Sequence, residues 1–228
     1  GAFFMRDWRR ESGWSGGFML EKCCHDIDLY QGLVGSRPVR VASFGGRKSF
    51  VPENDPAKRG INDLDVYHRK PSGWNGTDKV FDSEGDIIDY QTALVEFEGG
   101  ENLCFHTNLN VPDEFRRFCV MGSRGMAEGD FVRNFFRVHD AHTGNKLIDK
   151  SYEGGELSVH YGADEQMIAD IFAHVTAGKA LPVSIVDGLA AGMTAIKMDE
   201  ARRTRQVIDM RDTWQRFDAS LANKQRVA

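Results

Sequence analysis

Two rhythms of hydrophobic and polar residues run through this chain. From 18 to 34 the apolar positions recur at helical spacing, and Gly35 stands where a left-handed cap closes a helix, with Pro38 shortly beyond. From 38 the period shortens toward two, the spacing of a strand. The runs 88–97 and 102–109 flank Glu98-Gly99-Gly100-Glu101, a hairpin signal. The runs 115–121, 126–138 and 146–152 continue the strand pattern, with turns at Gly122, Gly125 and His142-Thr143-Gly144-Asn145. Helical spacing then returns. Met167, Ile168, Ile171, Phe172 and Val175 predict the buried face of a helix over 164–177, capped by Asp164 and closed by Gly178. A longer helix opens after Pro182, with Ser184 as N-cap and Asp187 completing an imperfect capping box. Its expected buried stripe is Ile185, Leu189, Met193 and Ile196, while Gly188, Ala191, Gly192 and Ala195 permit close approach.

Strands in succession, without helices between them, predict an α+β fold: one open, mainly antiparallel β-sheet with helices packed on one face. Residues 1–17 read as irregular. Residues 51–87 read as a long loop rich in turn chemistry: a functional lid, a contact surface or a flexible surface insertion. The whole chain, 1–228, is expected to form a single domain.

Composition narrows the classes. The 228 residues are 41% hydrophobic and 28% charged, which excludes a disordered tail, a fibre and a disulfide mini-protein. A net charge of -5 disfavours nucleic acid and anionic lipid as partners. No apolar run approaches the roughly 18 residues that span a bilayer. Cys23, Cys24, Cys104 and Cys119 form no C-x-x-C pair and are expected as small core residues of a reduced, cytoplasmic protein.

The richest chemistry lies on the first helix. At about 100° per residue, Glu21, His25 and Asp28 fall within roughly 60° of one another. Beside them runs a stripe of Cys24, Ile27, Gln31 and Val34. A histidine between two carboxylates can be held in one tautomer with its charged form favoured, as a general acid/base requires. Spacing alone leaves three readings open: a solvated helix face, an acid/base site and a metal pair. The metal reading lacks a third ligand, so no metal is expected. Arg6, Arg9 and Arg10 with Trp8 can cradle a polar substrate or form a solvated surface, and His160 precedes a helix start. No phosphate-binding glycine motif occurs, so no cofactor-binding residue is expected in the chain.

The segment Ser15-Gly16-Gly17-Phe18-Met19-Leu20-Glu21-Lys22-Cys23-Cys24-His25-Asp26-Ile27-Asp28-Leu29, followed by Leu33-Val34-Gly35-Ser36-Arg37-Pro38-Val39-Arg40-Val41, resembles the Gfo/Idh/MocA family, relatives of glucose–fructose oxidoreductase and inositol 2-dehydrogenase. The Gly122-Ser123-Arg124-Gly125 turn, the segment His160 to Asp164 and the step Leu181-Pro182-Val183-Ser184 extend the likeness over most of the chain. The resemblance implies the C-terminal, substrate-binding and oligomerisation domain of an NAD(P)-dependent oxidoreductase. An N-terminal Rossmann domain with a Glu-Lys-Pro lysine would carry NAD or NADP outside this chain, so the fragment alone is expected to bind no nucleotide tightly and to be inactive. The family's histidine falls on His25, taking the proton of a substrate hydroxyl. Its preceding carboxylate falls on Glu21, where the family often has Asp. Arg6, Trp8, Asp28 and His160 are the substrate-binding candidates. The implied substrate is a sugar, polyol or related hydroxy compound, and the implied assembly is a homodimer or homotetramer through the sheet. Two rivals remain: an NAD-dependent glycosidase of the same superfamily, and a non-catalytic oligomerisation module.

Overall fold

The computed structural model describes residues 1–61, 74–81, 84–151 and 162–225. The chain divides into two compact units, Gly1–Asn110 with Val183–Ala228, and Val111–Pro182. Each is α+β with an open antiparallel sheet, as expected. The strands divide into two four-stranded sheets, where the pattern predicts one.

In the first unit the sheet order is β3-β2-β1-β8, built from β1 (Pro38–Gly46), β2 (Tyr90–Phe97), β3 (Asn102–Asn108) and β8 (Ile208–Asp209). The β2–β3 hairpin closes through Glu98–Glu101, where Gly100 takes φ 89°, a left-handed conformation that side chains resist. Alternation places Val41, Ala93, Val95, Phe97 and Phe105 inward. The first helix, α1 (Ser12–Ser15), is a single turn; one sheet face carries α4 (Ile185–Thr204), which packs on β1, and α2 (Cys24–Val34) packs on α4. Gln91 ties sheet to helix, donating to Ser43 Oγ at 2.8 Å and to the Met198 carbonyl at 3.1 Å. The C-terminal helix α5 (Arg211–Gln225), absent from the sequence expectation, docks through Trp214, whose buried Nε1 donates to the Pro38 carbonyl at 2.6 Å.

The caps form as the sequence predicts. Gly35 ends α2 in the left-handed region. The Ser184–Asp187 box is complete: Ser184 N donates to Asp187 Oδ2 at 2.9 Å, and Asp187 N donates to Ser184 Oγ at 3.2 Å. The buried face of α4 differs from expectation. Ala191, Thr194, Ala195, Met198 and Ala201 are buried, whereas Ile185 is 80% exposed and Leu189 and Ile196 are also exposed. Small residues let the helix axis approach the sheet closely, and this excludes the bulky stripe from the interface. The expected loop 51–87 carries two 3₁₀ turns, Pro52–Asn54 and Pro56–Arg59, among its described residues. Its flanks are core: Phe50, Val80, Phe81, Ile87 and Ile88 are buried. The buried Asp89 carboxylate holds the approach to this segment by accepting the backbone N–H groups of Lys48, Ser49 and Phe50.

The second unit has the order β4-β5-β6-β7, from β4 (Arg117–Gly122), β5 (Gly125–Asp130), β6 (Phe135–Asp140) and β7 (Lys146–Ser151). The run read as one strand, 126–138, is two, broken at a turn where Asn134 takes φ 54°. Asp130 is buried and accepts N–H groups from Arg116, Val132 and Arg133, which fixes that turn. The helix α3 (Ala163–Ala177) forms and closes at Gly178. Its N-cap is Gly162, so Asp164 sits inside the first turn rather than at the cap. Its apolar residues are not buried as expected: Ile168, Phe172 and Val175 are each more than 60% exposed. Of the four cysteines, Cys23 is buried and Cys24 half-buried, whereas Cys104 and Cys119 are exposed on strands. Strand alternation places these last two on outer faces, which corrects the core expectation.

Candidate active site

The Glu21–Asp28 segment does not begin as a plain α-helix. Met19–Cys23 is a π turn that runs directly into α2. Such wider turns recur at functional sites, and this one changes the angular relation of Glu21 to His25 from that of a straight helix. Gly16 and Gly17, at φ 75° and 91°, turn the chain into it. Phe18, Met19, Cys23 and Ile27 are buried and anchor one side. Burial pushes the Cys23 thiol up to about 12, which keeps it an inert core group.

The opposite side carries the candidates. His25 is exposed, with Nδ1 3.1 Å from the Lys22 carbonyl oxygen. A carbonyl accepts only, so Nδ1 carries the proton in that bond and Nε2 is left as the acceptor. The tautomer is thus fixed by a backbone carbonyl, not by the flanking carboxylates. Glu21 and Asp28 are half-buried. Desolvation raises the Glu21 carboxyl above its ordinary value, with Arg9 pulling the other way. Desolvation likewise raises Asp28, helped by Asp187 on α4 and opposed by His25.

Arg9 connects this face to the N-terminal segment. Its guanidinium lies 4.5 Å from the Phe3 ring centroid and 4.6 Å from that of Trp8, and Nη1 pairs with the fully buried Asp7 at 2.7 Å. Trp8 is half-buried and parallel to Trp74, with ring centroids 6.5 Å apart. Arg6 is 9% exposed, and its carbonyl accepts the Thr77 N–H at 2.7 Å. His160 lies outside the described residues. Spacing could not reveal that Arg9 acts on Glu21, or Asp187 on Asp28, because both effects depend on segments that the fold brings near. A cavity of about 490 Å³ opens beside the Gly16–Gly17 turn, lined by Ser12, Gly13, Asp86, Asp199 and Arg202 among others. Among the described residues, no three His, Cys, Asp or Glu side chains gather as a metal site would require. No described helix is long and apolar enough to cross a membrane.

An antiparallel α+β unit thus presents a histidine and two carboxylates beside its core helices. The chain belongs to the Gfo/Idh/MocA oxidoreductases, matching the family's C-terminal alpha/beta domain over residues 3–210. It is 23% identical over 164 residues to YteT of Bacillus subtilis (strain 168), an oxidoreductase by name; the match covers 57% of this chain and 38% of YteT. Among solved structures it resembles levoglucosan dehydrogenase in complex with NADH and levoglucosan, at 15% identity and TM-score 0.65, covering 90% of this chain and 54% of that one. It also resembles the aldose-aldose oxidoreductase of Caulobacter crescentus complexed with glycerol, at 14% identity and TM-score 0.58, covering 90% and 51%. The chain therefore spans about half the length of these structures, and at such identities the likeness concerns the fold.

Proposed function

We propose that this chain is the substrate-binding and oligomerisation domain, across 1–228, of an NAD(P)-dependent oxidoreductase acting on a hydroxyl-bearing carbon of a sugar or polyol. The observation that carries this reading is His25. It is exposed, its Nδ1 is held by the Lys22 carbonyl, and its Nε2 is left to accept a proton from a substrate hydroxyl as that carbon is oxidised. Glu21 and Asp28, both raised by desolvation, share the histidine's turn of the chain. Relatives bearing dehydrogenase names with sugar and inositol substrates support the substrate class.

The described residues do not fit the nucleotide half of a nicotinamide cofactor. A pyrophosphate is held by the free N–H groups and positive dipole end of a helix N-terminus, where a first-turn carboxylate opposes a second negative charge. Here α2 has Asp26, α3 has Asp164 and Glu165, α4 has Asp187 and α5 has Asp212 in the first turn. This chain's share of the reaction is the substrate and its proton.

The test is steady-state kinetics of the full-length protein across pH. His25→Asn should lower turnover by about 10²- to 10⁴-fold and flatten the acidic limb of the profile. Glu21→Gln should cost less. A His25→Asn protein within about threefold of wild type, with an unchanged pH profile, overturns the reading.

The outer face of the first sheet is the proposed homo-oligomer surface. Phe44 is 72% and Leu94 56% exposed there, and Leu94 pairs in register with Ala42 and Cys104. The exposed thiols of Cys104 and Cys119 fit a reducing compartment, the cytoplasm.

A further inference from the structure

Trp14 is 64% and Trp74 56% exposed, and their rings meet edge to face at 84° with centroids 5.1 Å apart. Two largely exposed indoles meeting at a right angle form an aromatic corner. The corner is firmly built. The nearly buried Arg10 donates through Nη1 to the Asn75 carbonyl, and Asn75 donates through Nδ2 to the Glu11 carboxylate. These bonds hold Asn75 at φ 54°, a conformation a non-glycine residue adopts at a cost, and so fix Trp74 next to it. The Trp74 carbonyl also accepts the Trp8 N–H at 3.2 Å. From Trp74 the aromatic surface continues through Trp8 to Arg9, whose charge acts on the Glu21 carboxyl.

We propose that Trp14 and Trp74 form a stacking subsite for a second pyranose ring, so that the substrate is a disaccharide or larger glycoside rather than a single sugar. This rests on the reading of the Glu21–His25 face as a sugar-oxidising site. The C–H face of a pyranose carries slight positive charge and packs on the negative face of an indole. Glu11 and Asn75 at the rim offer acceptors and donors to its hydroxyls. A nucleotide sugar fits less well. Its phosphates need a cation, and beside the tryptophans Arg9 is already paired with Asp7, while Arg10 is committed to the Asp7 and Asn75 carbonyls.

The test is calorimetric and fluorescence titration of this chain with cellobiose, maltose, glucose and uridine monophosphate. One of the disaccharides should bind at least about tenfold more tightly than glucose. Trp14→Ala and Trp74→Ala should each weaken it by roughly three- to tenfold, the worth of an aromatic contact, while Trp14→Phe keeps part of the gain. Melting curves should show both Ala variants folded. Equal binding of glucose and both disaccharides, or folded Ala variants with unaltered disaccharide affinity, overturns the proposal. Uridine monophosphate binding more tightly than any of the sugars overturns it in favour of a nucleotide site. The readout needs no turnover: loss of activity in His25→Asn would stand even where the disaccharide preference fails, and the converse also holds.

Discussion

The two units of this chain build sheets of the same size and sense, yet they bury very different things. In Gly1–Asn110 with Val183–Ala228, helices seal one sheet face over side chains such as Ile27, Val41, Phe97 and Met198, each at most 1% exposed. Every buried hydrophobic residue described belongs to this unit. Among the described residues of Val111–Pro182 the fully buried side chain is a carboxylate, Asp130, and apolar residues gather around Phe118, whose ring lies 5.1 Å from Phe131 and 6.3 Å from Phe136. Gly129 lies opposite Phe118 in register, and a Cβ there would come within 2.6 Å of the Phe118 ring, so the glycine makes room for the aromatic. Among the described residues, the first unit buries an apolar core and the second does not. A sheet ladder satisfies backbone groups anywhere, but apolar stabilisation needs a second layer.

The largest test of this contrast is a pair of isoleucines. Ile27→Ala removes a fully buried side chain and should cost about 2–5 kcal/mol in urea unfolding. Ile168→Ala, at a 64% exposed position of α3, should stay within about 0.5 kcal/mol. Equal losses would show that α3 buries its apolar face in solution and would erase the contrast.

Asp130 tests the second unit's own support. Asp130→Ala removes the carboxylate that accepts three N–H groups and should cost about 1–3 kcal/mol locally. Burial alone would raise this carboxyl, but the N–H groups of Arg133, Arg116 and Val132, with the Arg117 side chain, bring it below its ordinary value. A carboxyl lowered in the folded state stabilises fully above the unfolded value, near 3.9. That contribution is lost as pH falls through the lower folded value. Amide exchange followed from pH 5 downward should therefore show the 111–151 amides losing protection in wild type, with less pH dependence in Asp130→Ala.

The smallest effect is a labelling pattern. Iodoacetamide at pH 8 should modify Cys119 and leave Cys23 untouched, because Cys23 is buried and its thiol is pushed up to about 12. Cys104 discriminates further. It should be labelled slowly if copies pair through the first sheet, and as fast as Cys119 in a Leu94→Lys variant that light scattering shows to be monomeric. Fast labelling of Cys104 in wild type would count against that surface.

What the sequence determined by itself is local. The Gly35 and Gly178 closures, the Ser184–Asp187 box and the Gly99-Gly100 hairpin all formed as read, because each depends on backbone conformation and hydrogen bonds within a few residues. The family resemblance was also legible, since it rests on an ordered series of such signals. Which face of a helix is buried was not. The bulky stripe of α4 was the stronger hydrophobic signal, but close approach to β1 and α2 selected the alanine face. The π turn at Met19–Cys23 escaped because a sequence projection assumes a constant helical pitch. The Trp8, Trp14 and Trp74 cluster escaped because a segment some sixty residues away along the chain completes it, through Arg10, Asn75 and Glu11. Periodicity records which residues can be buried; only the tertiary structure supplies the neighbours that decide which of them are.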